Sequence, residues 1–204
     1  LLGDLFDFWF EYYKSVPKGF TRVLGKLSEL SDSGIKIYFF VGNHDYWTRD
    51  YFQKEIGMEV LKKPTEFKIN NKVFFIGHGD GLGPGDFKYK FLKRIFRNPL
   101  FIFLFRINYP WFGIPLGNFF SRKNKILSGN NIKFKSKENE ILYHFCKKKL
   151  NVKHYDFFVF GHRHLPLKIE LGNNSYYFNT GDWINHYSFL HFKDDSLQLK
   201  YFKN

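Results

Sequence analysis

Four short polar motifs each follow an apolar run, and this repeated arrangement constrains the fold more than any other feature of the sequence. The runs at 36–42, 72–77 and 155–160 are rich in aromatic and β-branched residues, as are strands that are covered on both faces. The motifs are Gly-Asp at 3–4, Gly-Asn-His-Asp at 42–45, Gly-His-Gly-Asp at 77–80 and Gly-His-Arg-His at 161–164. Because ligands of α/β sheets bind just beyond the carboxyl ends of strands, we expect the motifs to converge on one rim.

The rest of the chain alternates helix and strand signals. Apolar residues recur on one helical face over 19–30, and Gly34 follows shortly after, which predicts a helix. From 167 to 202, short apolar segments are separated by turn residues such as those at 172–174, which is typical of an antiparallel meander. The pattern predicts an α/β protein.

Composition excludes several classes of protein. A chain of 204 residues, of which 44% are hydrophobic, is long enough to bury a core and is not disordered. Its longest apolar run, at 100–105, is far shorter than the roughly 20 residues needed to cross a bilayer. The single cysteine, Cys146, cannot form an internal disulfide, which favours a reducing compartment.

Positive charge is concentrated in one segment. The formal net charge is +13, and residues 87–137 hold twelve basic residues and no acidic residue. Within this segment, an apolar stripe of Phe91, Leu92, Ile95 and Phe96 faces away from Lys90, Lys93, Arg94 and Arg97. Basic residues beside bulky apolar ones suit a surface that binds anionic headgroups and acyl chains. A helix packed on the core with a solvated basic face is the alternative, and nucleic acid is a less favoured polyanion.

The donors in the four motifs indicate a metal site. Carboxylate, amide oxygen and imidazole without thiolate suit Mn²⁺, Fe or Zn²⁺, and a carboxylate can bridge two ions. Any one of these histidines could instead be a hydrogen-bonded structural residue. Four such motifs in order, each after an apolar run, favour the metal interpretation.

Together the motifs resemble those of the calcineurin-like metallophosphoesterases, whose pattern is D-x-H, G-D-x-x-D, G-N-H-D or G-N-H-E, H and G-H-x-H. The resemblance covers most of the chain. It implies a four-layer αββα sandwich with its core at 1–86 and 138–204, and a basic, aromatic helical cap insertion at 87–137. The D-x-H motif of the family lies upstream of the position of Leu1, so we expect the natural chain to extend beyond this N-terminus.

The same resemblance implies roles for individual residues. One metal ion would be held by Asp4, Asn43, His78 and His162, and a second by Asp4, His164 and ligands from the upstream segment. Two Mn²⁺ ions, or other divalent ions, are therefore expected in the full-length protein. His44 would face the phosphoryl or leaving oxygen, and Asp45 would hold the tautomer of His44.

The stretch at 77–94 and the insertion after it resemble one branch of the family. That branch hydrolyses the pyrophosphate bond of UDP-2,3-diacylglucosamine in lipid A biosynthesis, giving 2,3-diacylglucosamine 1-phosphate (lipid X) and UMP. The resemblance implies a UDP-linked acylated glucosamine as substrate, no nucleic acid partner, and a cytoplasmic protein bound peripherally to the anionic inner membrane. Many members have Arg where this chain has His44. The substrate-binding candidates are Asn43, His44, Asp86, Tyr89, Arg122 and Lys125.

Two other classes share these motifs. A phosphoesterase for nucleotides or phosphoproteins would have the same metal ligands and a different cap. A non-catalytic scaffold on this fold is the other, although eroded motifs would be expected in it. We assign no chemistry to Asp182 and His186.

Overall fold

The computed structural model of the protein describes residues 1–85, 87–129 and 134–202, except the side chains of 120 and 122–129. The chain forms two compact units. The first comprises Leu1–Lys63 with Phe87–Asn130, and the second comprises Pro64–Asp86 with Asn131–Asn204. Both units combine helices and strands, which confirms the predicted α/β class.

The first part of unit one contains the predicted helix and a short parallel strand pair. Its elements are α1 (Thr21–Asp32), β1 (Tyr38–Phe40), α2 (Tyr51–Lys54) and β2 (Glu59–Leu61). Strand β1 lies within the run predicted at 36–42 and pairs with β2, which the sequence did not indicate. Leu1 exchanges backbone hydrogen bonds with Tyr38 and Phe40, but residues 1 and 2 are not assigned to a strand.

The side chains of the segment at 5–12 are divided between two groups of packed residues. Phe6 and Trp9 pack with α1, β1 and α2. Phe8, Phe10 and Tyr12 form a separate cluster with partly buried residues from the loop after β1 and from the insertion. Trp9 points to the first group and its neighbours Phe8 and Phe10 to the second, so the chain is extended from residue 8, and its backbone there pairs with residues 44–47.

The insertion is helical, as the sequence predicted. It consists of α3 (Phe87–Phe96), α4 (Pro99–Ile107) and α5 (Pro110–Gly129), and we call these three helices the cap. Helices α4 and α5 both begin with proline, which suits the first turn because its missing N–H has no intrahelical partner there. Asn98 caps α4 by accepting a hydrogen bond from the Leu100 amide at 2.9 Å.

Unit two is built on a five-stranded sheet. Its elements are β3 (Thr65–Ile69), β4 (Lys72–Gly77), a 3₁₀ turn (Lys137–Asn139), α6 (Ile141–Leu150), β5 (Phe157–Phe160), β6 (Pro166–Gly172), β7 (Ser175–Thr180), β8 (Ser188–Lys193) and β9 (Ser196–Tyr201). The strand order is β3-β4-β5-β7-β6, in which β4, β5 and β7 are parallel and the two outer strands are antiparallel to their neighbours.

The prediction of one antiparallel meander after residue 167 is wrong in part. Strands β6 and β7 form an antiparallel pair, but β7 also pairs in parallel with β5, and β8 and β9 form a separate two-stranded sheet. The main sheet is covered on both faces. Helix α6 packs on one face through Leu142 and Cys146. Phe192 of β8 packs on the other face, where its ring centroid lies 5.0 Å from that of Phe74.

Candidate metal centre

Two predicted ligands, His78 and His162, meet at the end of neighbouring parallel strands. Strands β4 and β5 are in register with Gly77 opposite Phe160, so the turns that follow them begin at the same edge. The Gly161 amide donates to the His78 carbonyl oxygen at 2.9 Å. The two ring centroids are 5.1 Å apart, and each ring has a nitrogen within 4.8 Å of one in the other. The pair is therefore spaced to share one metal ion.

The turn after β5 is strained and firmly braced. His162 and His164 have φ angles of 62° and 52°, a left-handed conformation that is unfavourable for residues other than glycine. Arg163 between them donates from Nε and Nη2 to the carboxylate of Glu140, at 3.0 and 2.9 Å. These hydrogen bonds raise the pKa of Arg163. Because Glu140 is almost fully buried, this bidentate ion pair fixes the turn that carries both histidines.

Asn179 supports the same turn from β7. Its side chain is fully buried, and its amide donates to the Gly161 carbonyl oxygen. Sequence reasoning missed Asn179 and Glu140. Asn179 has a weak signal in the sequence, since it is a polar residue at the end of an otherwise apolar strand.

In unit one, Asp4 is held against the Gly-Asn-His-Asp motif. Its φ angle is 52°, and its Oδ1 accepts a hydrogen bond from the His44 amide at 2.9 Å. A β-carbon at Gly42 would collide with the carboxylate and the amide nitrogen of Asp4. Glycine at this position therefore allows Asp4 to approach the loop that carries Asn43, which is half-buried.

Asp45 braces this loop rather than the ring of His44. Its carboxylate is fully buried and accepts from the Gly42 amide at 2.6 Å and the Leu5 amide at 2.9 Å. The His44 Nδ1 atom lies instead 2.9 Å from the Asp7 carbonyl oxygen and 2.7 Å from Ser121 Oγ. The expectation that Asp45 holds the tautomer of His44 is therefore wrong, because the two Asp45 carboxylate oxygens accept hydrogen bonds from backbone amides.

The remaining predicted substrate residues belong to the cap or its start. Tyr89 is half-buried in α3. Asp86 lies outside the described residues. Arg122 and Lys125 belong to α5, and their side chains lie outside the described part of the chain.

Asp182 and His186 have a structural explanation. Burial alone would raise the pKa of Asp182, but the backbone N–H groups of residues 184–186 and the ring of His186 outweigh it and lower the pKa to about 2. The carboxylate organises the turn before β8, in keeping with the absence of any assigned chemistry.

The chemistry of the donors fits a divalent ion. Unit two contains the imidazoles of His78, His162 and His164, and unit one separately contains the carboxylate of Asp4 and the amide of Asn43. Imidazole and oxygen ligands without thiolate suit Mn²⁺, Fe or Zn²⁺. Donors of these kinds are typical of metal-dependent hydrolases.

No protein-family profile matches the chain. A UDP-2,3-diacylglucosamine hydrolase from Porphyromonas gingivalis is 38% identical over 213 residues, covering 98% of this chain and 81% of the relative. A hydrolase of the same name from Ectopseudomonas mendocina is 30% identical over 189 residues, covering 90% of this chain and 75% of the relative. Vps29 from Entamoeba histolytica, solved with Zn²⁺, is 15% identical with a TM-score of 0.35 over 98% of this chain and 94% of that one. That last likeness is too low to support any argument.

The chain belongs to the family of UDP-2,3-diacylglucosamine hydrolases. This membership confirms the branch of metallophosphoesterases that the motifs and the insertion resemble.

Proposed function

We propose that the protein hydrolyses the pyrophosphate bond of UDP-2,3-diacylglucosamine, giving 2,3-diacylglucosamine 1-phosphate and UMP in lipid A biosynthesis. The observation that carries this proposal is the 38% identity, over 98% of the chain, to a relative named for hydrolysis of that substrate. The match includes the cap, which is where a lipid-specific enzyme would differ from other phosphoesterases.

The proposed metal ligands are Asp4, Asn43, His78, His162 and His164, and the proposed ions are two Mn²⁺. Divalent ions at such a site lower the pKa of a water molecule and neutralise charge on phosphoryl oxygens. The chain would contribute His44, which exchanges a proton with the phosphoryl or leaving oxygen. Asp4 and Asp45 would keep the loop of His44 in place through the hydrogen bonds to its backbone and to neighbouring amides.

The cap would bind the acyl chains. Phe91, Leu92 and Phe96, which the sequence placed on one stripe of α3, are exposed rather than packed on a core. Helix α4 exposes Leu100, Phe101, Phe103 and Leu104 as well. Exposed apolar surface of this extent is typical of a binding site for apolar ligands. The proposed polar contacts to the substrate are made by Asn43, His44, Asp86, Tyr89, Arg122 and Lys125.

We also propose that the cap binds the anionic surface of the inner membrane peripherally from the cytoplasm. The segment 87–137, which contains the cap, has twelve basic residues and no acidic residue, and these provide the charge for this interaction. Among the described helices, none has both the length and the apolar composition needed to span a bilayer.

A substrate comparison tests the proposal. The full-length protein is purified and incubated with Mn²⁺ and UDP-2,3-diacylglucosamine, UDP-glucose or a simple aryl phosphodiester, and UMP and the sugar phosphate are quantified by mass spectrometry. We expect rapid release of UMP and lipid X from the acylated substrate alone. Adding EDTA should abolish this release. Equal rates on all three substrates would point to a general phosphoesterase, and no hydrolysis of any would indicate a non-catalytic scaffold.

A further inference from the structure

The hydroxyl of Ser121, on cap helix α5, lies at the imidazole of His44. Ser121 Oγ is 2.7 Å from His44 Nδ1, and it donates a hydrogen bond to the Asp7 carbonyl oxygen. Nδ1 is itself 2.9 Å from that carbonyl oxygen. The three groups form a closed triangle, and Ser121 is 8% exposed, so water has little access to the hydroxyl.

The triangle determines which nitrogen of His44 carries a proton. The Asp7 carbonyl can only accept, and the single hydroxyl proton of Ser121 is directed to it. If Nδ1 were unprotonated, its lone pair would face the carbonyl lone pairs at 2.9 Å and, at 2.7 Å, an oxygen whose proton points elsewhere. Only a protonated Nδ1 satisfies all three contacts. The tautomer is thus assigned from the hydrogen-bond network.

The packing of α5 explains why Ser121 reaches this position. Gly113, Gly117 and Ser121 are spaced four residues apart and therefore lie on one face of the helix. A β-carbon at Gly113 would collide with the Tyr12 hydroxyl, and one at Gly117 would collide with the ring of Phe8. The two glycines let the helix backbone lie directly on the extended segment at 8–12. The position of Ser121 beside Asp7, just before that segment, follows from this close packing.

We propose that Ser121 is a positioning residue for His44. It holds the ring against the Asp7 carbonyl oxygen, which accepts the Nδ1 proton, and so fixes the plane of the ring and leaves Nε2 as the nitrogen that exchanges a proton with the substrate. The inference rests on the proposed function in one respect, namely that His44 acts on the phosphoryl or leaving oxygen. It gives the cap a second role, because α5 would orient a group at the reacting phosphate while the cap also binds the acyl chains.

The first test is spectroscopic and needs neither metal nor substrate. Two-bond ¹H–¹⁵N spectra of the His44 ring are recorded for the metal-free wild type, Ser121→Ala and Ser121→Thr, at a pH well above the ordinary histidine pKa. We expect the wild type to show the Nδ1–H tautomer and Ser121→Thr, which retains Oγ, to resemble it. Ser121→Ala should populate Nε2–H as well, because without Oγ the ring can turn away from the Asp7 carbonyl oxygen. An Nε2–H tautomer in the wild type, or identical spectra for wild type and Ser121→Ala, would overturn the proposal.

A matched control removes a different hydrogen bond from the cap. The Asn108 side chain donates to the Leu104 carbonyl oxygen at 2.7 Å at the end of α4, without contact to His44. Asn108→Ala should leave the His44 spectrum unchanged. A shift equal to that of Ser121→Ala would mean that the ring responds to any loosening of the cap, which would contradict a specific role for Ser121.

The second test separates positioning from seating of the cap. With the acylated substrate, Ser121→Ala should lower kcat about tenfold and leave KM nearly unchanged, since general acid–base catalysis depends on the orientation of the group. A raised KM with an unchanged kcat would show that Ser121 only seats the cap and would overturn the proposal. If the wild type fails to hydrolyse the acylated substrate, the proposed function fails, and the tautomer measurement still decides the role of Ser121.

Discussion

The five-stranded sheet of unit two and the cap contain the same kinds of aromatic residue in opposite environments. In the sheet, Phe158, Phe160 and Tyr177 are 0% exposed. In the cap, Phe87 is 80% exposed and Trp111 is 76% exposed. Aromatic content alone therefore does not indicate where the core lies. What separates the two regions is periodicity and charge, since the strands are continuous apolar runs and the cap mixes apolar with basic residues.

This contrast between the sheet and the cap indicates that the two regions have different roles. Buried strands give the His78 and His162 pair a rigid base, because β4 and β5 are packed on both faces. The exposed apolar residues of the cap leave surface available for a lipid. Changes at the sheet edge should therefore affect metal binding and turnover of every substrate, whereas changes on the cap should affect acylated substrates and membranes.

The largest effect is expected from removing a metal ligand. His162→Ala should weaken metal binding and reduce turnover by about 10³-fold or more, because metal ions supply several kcal/mol of transition-state stabilisation. Isothermal titration with Mn²⁺ and an assay of UMP release measure the two effects. The control is His154→Ala, since the side chain of His154 is half-exposed and outside the proposed site. Full metal affinity and turnover in His162→Ala would exclude His162 as a ligand.

An intermediate effect is expected from the ion pair that braces the histidine turn. Arg163→Lys keeps the positive charge but loses the bidentate contact with Glu140, so Mn²⁺ affinity should fall about tenfold. The fall is measured by titration of the metal-free protein, whose thermal unfolding is recorded in parallel. A variant that unfolds at the wild-type temperature and binds Mn²⁺ with wild-type affinity would show that the turn does not depend on this ion pair.

A comparable effect, of roughly tenfold at low salt, is expected for membrane binding. Lys88→Glu with Arg94→Glu reverses two exposed charges on α3, and each basic residue near an anionic surface contributes about 1 kcal/mol at most. Arg97 is kept because its guanidinium lies 4.0 Å from the ring centroid of Tyr46. Sedimentation with anionic vesicles should show weaker binding at low salt, and salt should reduce the difference.

The matched control for this prediction changes net charge equally outside the cap. Lys36→Glu with Lys148→Glu reverses two exposed charges, on the loop before β1 and on α6. Equal loss of vesicle binding in both double variants would show that net charge matters rather than the cap.

The sequence predicted the parts of the fold and site that are encoded locally. Strands β4 and β5 and the turns after them follow from apolar runs ended by glycine, and helix α3 follows from a helical stripe. Strand β3 was not predicted, although Thr65–Ile69 alternates polar and apolar residues as a half-buried strand does, because the signal spans only five residues.

The bracing residues could not be predicted, because each acts through a distant partner. Glu140 is 23 positions from Arg163, and Ser121 is 77 positions from His44. No local pattern specifies such contacts, which depend on how α6 and α5 pack within their units. The role expected for Asp45 was wrong because its hydrogen-bond partners, the amides of Gly42 and Leu5, are set by how the loop folds and not by the motif itself.

The most direct test of the division between sheet and cap is the preference for an acylated substrate. The ratio of kcat/KM for UDP-2,3-diacylglucosamine to that for UDP-N-acetylglucosamine is measured for the wild type and for Phe101→Ser with Leu104→Ser, two exposed residues on α4. We predict that the cap variant loses activity mainly on the acylated substrate, so that the ratio falls by about tenfold or more while the rate on the unacylated sugar is retained. An unchanged ratio would contradict the assignment of acyl recognition to the cap.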